Sequence, residues 1–384
     1  MKMSRPRKYS QAAQRPVTIR DIAERCGVGT STVSRSLLND PHVNAATRER
    51  ILAIATEMGY DPSHNEAARR LSLRRHGLAL LNHTVALLIP AETYKVKYYS
   101  LLFHGVIEEL TRYNYTLITM LVPRIWECTH VELPPVFNRS DIDGILWCPG
   151  VGNELVYDEL QHNPILKRCP TVGMLVKEAP DCSMVYGDEV NGQQMLIRHL
   201  LELGHRYFLY FKGHGISYDR RVAIIERILR EHELDPKNHL HLLACPRNWL
   251  DPRLLYPDIN QVTDPEHEDV RFPAVLLQYL ADHPQITAIM GLNDVTAIHA
   301  CFTLRHAGIR IPEEMSIVGF DDTDPILDTQ GRNILTTVRL PLEEIGREAV
   351  RMLIGRIEAG QTERSDITLP GGLVIRRSTA PPAR

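Results

Sequence analysis

Residues 27–35, Gly27-Val28-Gly29-Thr30-Ser31-Thr32-Val33-Ser34-Arg35 (GVGTSTVSR), decide how the first part of this chain folds. They lie in a run that otherwise scans as compact and helical. Gly, Ser, Thr and Val are mediocre or poor helix formers. A helix made of them is not built for its own stability. Ala23, Gly27 four residues on and Val33 six further have the spacing of two helices crossing at a tight turn. Ala is small at the crossing, Gly makes the turn, and Val33 packs the second helix on the first. A generic αα-hairpin shares these features, so the spacing alone leaves both readings open.

The flanks supply two more helices. The first runs near Ile19 to Cys26, opened by Thr18 with Asp21 three residues on, an approximate capping box. Ile22 and Ala23 are its inward residues. The second spans roughly 30–37, with Gly29 at the cap, where Gly is tolerated. The third runs from Asn44, a good N-cap, to about Met58, with Gly59 as the C′ residue. Its apolar residues Ile51, Leu52, Ile54, Ala55 and Met58 recur at helical spacing. Three such helices can share one small core.

Composition divides the chain in the same place. Its 384 residues favour two or three domains, and 43% hydrophobic with 24% charged residues is ordinary for a globular protein. Residues 1–75 carry 14 Lys and Arg against 7 Asp and Glu, a net of +7; the rest carries 30 against 40, a net of -10. A basic module on an acidic body points to a polyanion for the first part only; a solubilising basic tail is the alternative. No apolar run approaches a membrane span, and residues 1–16 are polar and basic with no secretory pattern. The seven Cys are scattered without zinc spacing, as expected of free thiols in the cytoplasm.

Residues 1–15 read as a disordered basic tail, 16–62 as the helical headpiece, 63–83 as a hinge or linker, and 84–384 as a larger α/β domain. From Thr84 on, continuous apolar runs alternate with helical patterns. Strands are expected at 84–90, 116–122, 142–149, 169–175, 206–211, 286–292 and 315–322. Helices are expected at 98–114, 191–204, 220–234, 295–308 and 342–360. Such strands belong to parallel sheets covered on both faces, and their number favours two lobes. Residues 245–270, rich in Pro and Asp, read as a long loop.

Catalytic signatures are missing. There is no G-x-G-x-x-G after the first strand, no G-x-S-x-G, no Walker A and no H-E-x-x-H. HLHLL (239–243) spaces two His at period two, which suits a strand face or loop better than a metal. The expectation is no enzyme, no cofactor and no metal.

Residues 17–62, VTIRDIAERCGVGTSTVSRSLLNDPHVNAATRERILAIATEMGYDP, closely resemble the headpiece of the LacI/GalR family of bacterial transcription regulators. The run Thr32-Val33-Ser34-Arg35, the VNAATRERI stretch and the closing Gly-Tyr-x-Pro carry the likeness. It continues through YYSLLFHGVIEEL, GDEVNGQQMLIRHLLELGHRYFLYF, GLNDVTAIHACFTLRHAGIRIPEEMSIVGFDD and LTTVRLPLEEIGREAV. The resemblance implies a helix-turn-helix headpiece followed by a two-lobed periplasmic-binding-protein-like domain. That domain would hold a small effector and form a homodimer on a pseudo-palindromic double-stranded DNA operator.

The motif match also implies residue roles. Thr30 and Ser31 would meet base edges, with Arg35 a turn later reaching guanine or phosphate. Thr32 and Ser34 would bond phosphate or backbone, and Asn44 and Tyr60 complete the headpiece set. In the linker, Arg69 and Arg70 would bind phosphate and Leu71 would wedge into the minor groove. The Tyr60–Leu71 segment is two residues longer than the family's usual spacing. Ordinary interdomain packing is the alternative role for that segment. The effector, most often a sugar in this family, would meet Tyr98, Tyr99, Arg221, Asn293 and Asp294, with Trp147 and Trp249 as further candidates. Asp294 would accept from hydroxyls and Arg221 would clamp. Departures exist: Val96-Lys97 replaces the usual Asn-Pro, Ile224 a common Gly and Leu340 a frequent Gln. The alternatives are a solute-binding protein of the same fold and a regulator that has lost its effector.

Overall fold

The computed structural model describes residues 17–37, 40–60, 81–90, 97–122, 141–148, 169–175, 182–213, 216–245, 268–360 and 363–383. The chain divides into two compact units, Met1–Asn82 and His83–Arg384. The basic tail and most of the linker, with Arg69, Arg70 and Leu71, lie outside the described residues, as does Trp249.

The first unit contains α1 (Ile19–Cys26), α2 (Thr30–Leu37) and α3 (Ala45–Glu57). Each boundary has a local cause. The Asp21 N–H donates to Thr18 Oγ1, and Asp21 Oδ2 accepts from the Thr18 N–H at 2.7 Å, closing the expected capping box. Gly27 ends α1 at φ 63°, in the left-handed region that glycine enters without strain. The Gly29 carbonyl accepts from the Thr32 and Val33 N–H groups and so starts α2. Asn44 caps α3 through the Ala46 N–H at 2.9 Å, and Gly59 follows its end at φ 68°. The core joins Ile22, Ala23, Cys26, Val33, Ile51, Ala55 and Tyr60. Complete burial of Val33 contributes about 1.5–3 kcal/mol, a large share for so small a core. Leu52 departs from expectation: it is 42% exposed, because its position on α3 points away from α1 and α2.

The second unit is built on two parallel sheets. The larger is ordered β2 (Thr116–Val122), β1 (Thr84–Pro90), β3 (Gly144–Trp147), β4 (Thr171–Met174), β5 (Ser183–Gly187), β11 (Ile367–Leu369). The smaller is ordered β7 (Leu240–Ala244), β6 (Phe208–Lys212), β8 (Ala288–Met290), β9 (Ser316–Val318). β10 (Thr337–Arg339) and β12 (Gly372–Val374) pair antiparallel. Val85–Ile89 of β1 and Phe208–Phe211 of β6 are wholly buried, as strands covered on both faces must be.

The helices are α4 (Lys97–Arg112) and α10 (Leu342–Ala359) in the first lobe. The second lobe has α5 (Glu189–Glu202), α6 (Ile216–Glu231), α7 (Pro236–His239), α8 (Glu268–Asp282) and α9 (Asp294–His306). The chain crosses between lobes after β5, before α10 and between β11 and β12. Buried Leu340 sits at these crossings, packed on Gly187 and Gly371. Most of the loop expected over 245–270 lies outside the described residues; from Glu268 the chain is helical in α8, which buries Phe272, Leu276 and Leu280 at i, i+4 and i+8 despite Pro273 within it. The strand expected over 315–322 ends at Val318, because Asp321 and Asp322 take φ 105° and 56°, outside any strand. His241 stands on β7 and donates to, or accepts from, the Tyr279 hydroxyl at 3.1 Å.

α4 and α10 meet through two glycines. A Cβ on Gly105 would run into the Glu343 backbone carbonyl, and one on Gly346 into that of Leu102. Buried Glu109 beside this crossing is met by Arg112 at 3.1 Å and Arg351 at 2.9 Å. Gly105→Ala is therefore expected to destabilise the second unit by about 1–3 kcal/mol, since backbone must yield. Urea unfolding checks this; an unchanged midpoint would contradict so close a crossing.

Candidate functional site

Two surfaces carry chemistry. On α2, two successive turns place Thr30, Ser34, Ser31 and Arg35 along one side, because residues three and four apart share a helix face. Thr30, Ser31 and Arg35 are exposed, while Val33 and Ser36 face the core. Ser36 Oγ donates to the Thr32 carbonyl at 2.8 Å, which leaves Ser36 internally satisfied. Thr32 and Ser34 are half-buried at the edges of this face. The Arg35 guanidinium has no hydrogen bond or ion pair among the described residues. Asn44 is exposed and occupied as a cap, and Tyr60, 9% exposed, belongs mainly to the core. Small hydroxyls thus form a low, polar ridge ended by one cation.

The second surface lies where strand ends of the two-lobed unit converge, the usual position for a ligand on parallel sheets. Tyr98 and Tyr99 stand in the first turn of α4, half-buried, with ring centroids 5.2 Å apart and edge to face. Trp147 ends β3 and is buried. Asn293 caps α9: its side chain accepts from the Thr296 N–H at 3.0 Å.

Arg221 on α6 is 7% exposed and heavily engaged. Its Nη2 lies 3.0 Å from Glu189 Oε1 and its Nε donates to Glu189 Oε2 at 3.3 Å. Nη1 donates to the Leu292 carbonyl at 2.8 Å, and the guanidinium carbon lies 4.2 Å from the Phe320 ring centroid. Burial works against this charge, but the Glu189 carboxylate outweighs it and holds the guanidinium well above its ordinary pKa. Burial, then the Asp321 and Glu189 carboxylates, push the Tyr98 hydroxyl well above its usual value. Tyr98 of the first lobe and Arg221 of the second thus share one electrostatic environment.

Asp294 is 1% exposed and turned inward. Its Oδ2 accepts from the Thr323 and Asp324 N–H groups at 2.7 and 3.3 Å, and its Oδ1 from the Thr337 hydroxyl at 2.6 Å. It ties the start of α9 to the segments after β9 and at β10. Burial pushes its carboxyl up to about 7, against the three hydrogen bonds and with nearby Asp322 adding to the rise. A carboxyl raised in the folded state binds a proton that the unfolded chain has already lost. Its contribution to stability is therefore full below about pH 4 and declines as pH rises towards 7, by up to about 1.4 kcal/mol per unit. Asn at this position can keep all three contacts, its oxygen on the two N–H groups and its nitrogen on the Thr337 hydroxyl. Asp294→Asn is expected to remove that decline in urea unfolding between pH 5 and pH 7; parallel profiles for the two proteins would contradict it.

Sequence reasoning missed Glu189, Phe320 and Asp321. The strand-end position of GDE (187–189) and GFDD (319–322) was the available signal. Asp322 is neutralised by Arg339 at 2.7 Å and Arg376 at 2.8 Å. The Asp321 carboxylate has no hydrogen bond among the described residues.

Comparison with known proteins agrees with both halves. Residues 18–63 match the family described as bacterial regulatory proteins, lacI family, and residues 197–379 match the periplasmic binding protein-like domain. The HTH-type transcriptional regulator DegA of Bacillus subtilis is 27% identical over 95% of this chain and 98% of its own length. The HTH-type transcriptional regulator CelR of Thermobifida fusca is 26% identical over 95% and 99%. The HTH-type transcriptional repressor PurR of Haemophilus influenzae is 26% identical over 94% and 98%. Among solved structures, a lac repressor dimer bound to operator and the anti-inducer ONPF shares the fold at TM-score 0.62 and 20% identity, covering 95% of this chain and all of that one. A CelR–cellobiose complex does so at TM-score 0.59 and 21% identity, over 95% and 100%. With a capped helix-turn-helix presenting a polar face, followed in sequence by a two-lobed parallel α/β unit, the chain belongs to the LacI family of bacterial transcriptional regulators.

Proposed function

We propose that this regulator binds a pseudo-palindromic double-stranded DNA operator as a homodimer in the cytoplasm and represses transcription, under control of a small carbohydrate held between its lobes. The observation that carries the reading is the division of α2, with Val33 and Ser36 turned inward and Thr30, Ser31 and Arg35 left to DNA. Short hydroxyls allow close approach to base edges, a Thr methyl suits a thymine methyl, and Arg35 suits guanine O6 and N7. Thr32, Ser34 and Asn44 take phosphate, and Tyr60 positions the headpiece from its core. Arg69 and Arg70 add phosphate contacts and Leu71 enters the minor groove. No catalytic step belongs to this reading.

Tyr98 and Tyr99 offer aromatic faces to the sugar, with Arg221, Asn293 and Asp294 on the opposite lobe; Trp147 and Trp249 are further candidates. The internal bonds of Arg221 and Asp294 make them supports of that wall more than free ligand donors. Ligand binding shifts the population of lobe arrangements and with it the ability of the linkers to order on DNA. The relatives support this reading by their names: PurR is a repressor, and a CelR structure is a cellobiose complex.

The test is footprinting on genomic DNA with and without a panel of carbohydrates. Paired, symmetric protected half-sites whose occupancy changes at least about fivefold with one sugar are expected. Sites indifferent to every sugar would remove the effector from the account, and protection without symmetry would remove the dimer.

A further inference from the structure

The charges of the interlobe wall restrict what can bind there. This step rests on the effector reading above. A guanidinium grips a carboxylate or phosphate with two parallel N–H bonds from one edge. On Arg221 the Nε/Nη2 edge is already filled by Glu189, Nη1 is spent on the Leu292 carbonyl, and the flat face lies against Phe320. The buried cation of the wall is thus consumed internally, by a residue at the first position of α5, just after the chain crosses between lobes.

What remains is acidic. Three carboxylates follow or flank the ends of β8 and β9. Asp294 has three donors and Asp322 has two arginines. Asp321, between them in sequence, has no hydrogen-bond donor among the described residues. Its backbone is held at φ 105° by an N–H bond to the Val338 carbonyl at 2.8 Å. A non-glycine residue kept in that region carries strain, which surrounding structure tolerates most often where a side chain must be aimed. Burial pushes the Asp321 carboxyl well above its ordinary pKa, against the pull of Arg221 and with Asp294, Glu189 and Asp324 adding to the rise, so no cation within the wall holds it ionised. A half-buried carboxyl without a hydrogen-bond donor, among acidic neighbours, ionises when a ligand brings a cation to it.

We propose that the effector is a polyhydroxylated molecule bearing a protonated amine, an amino sugar in chemical class, whose ammonium pairs with Asp321, while Glu189 excludes anionic ligands by occupying Arg221. Glu189 is then the residue that sets specificity.

The test uses matched sets of glucose, galactose and mannose, each with its 2-amino-2-deoxy form and its 6-phosphate. They are titrated calorimetrically into the full-length protein. The amine is expected to bind at least about tenfold more tightly than its neutral parent, the return from one charge-assisted bond, and the phosphate not at all. Asp321→Asn should abolish the preference for the amine while retaining weak binding of the neutral sugar. Glu189→Gln, which frees the Arg221 edge, should admit the phosphate. A neutral sugar that outranks its amine, or a phosphate that binds the unaltered protein, overturns the charge assignment and leaves the effector cleft standing. No binding by any member of any set overturns the effector reading and this proposal with it. The ranking on the unaltered protein decides the matter even where a variant fails to fold.

Discussion

Arg35→Ala is expected to weaken operator binding by about 2–6 kcal/mol, roughly thirtyfold to twenty-thousandfold, because a dimer loses one base contact of about 1–3 kcal/mol in each half-site. The loss on random DNA should be far smaller, under about tenfold, since only two of many phosphate-directed charges disappear. The headpiece itself should be unharmed. Arg35 is exposed at the last turn of α2, supports no described side chain, and gives way to the best helix former. Anisotropy titrations at one fixed salt concentration separate the outcomes. Equal losses on operator and random DNA would make Arg35 a phosphate contact and move base reading to Thr30 and Ser31.

Arg221→Leu is expected to destabilise the second unit by about 3–5 kcal/mol. Removing one member of a buried ion pair leaves the other without compensation. Here the leucine would face Glu189, with Asp321 close by and the Leu292 carbonyl short of its donor. The pair itself need not be net stabilising, since burying two charges costs about what their attraction returns. Adding Glu189→Met to Arg221→Leu should therefore recover most of the loss, a strong non-additivity between two residues in contact. Urea unfolding followed by circular dichroism measures this cycle. A double variant as unstable as the sum of the single ones would mean that Arg221 acts through Leu292 and Phe320 instead of through Glu189.

The headpiece was legible because its determinants are local. Thr18 and Asp21, Gly27, Asn44 and Gly59 act on backbone within four residues of themselves, so caps and turns could be placed from spacing alone. The long, wholly apolar β1 was legible for a similar reason. β10, β11 and β12 are three residues each, too short to show a period, and their pairing depends on segments far along the chain. The cleft was legible only in part. Arg221 and Asp294 could be nominated by resemblance, but their partners could not. The donors to Asp294 come from 29, 30 and 43 residues downstream, and Glu189 lies 32 residues before Arg221. Bonds across such distances turn expected ligand contacts into parts of the wall, and no pattern in sequence announces them.

The poor helix formers of GVGTSTVSR now have a physical division of labour. Gly27 turns the chain and Val33 holds α2 to the core, which leaves the hydroxyls free of any structural duty except at Ser36. The central claim is that this face reads sequence. Its most direct test selects duplexes from a random library with the full-length protein and compares the enriched duplex with a scrambled one at physiological salt. The account predicts a two-fold symmetric enriched site bound at least about a thousandfold more tightly than the scrambled one. Enrichment of no site, or equal affinity for both duplexes, would contradict it.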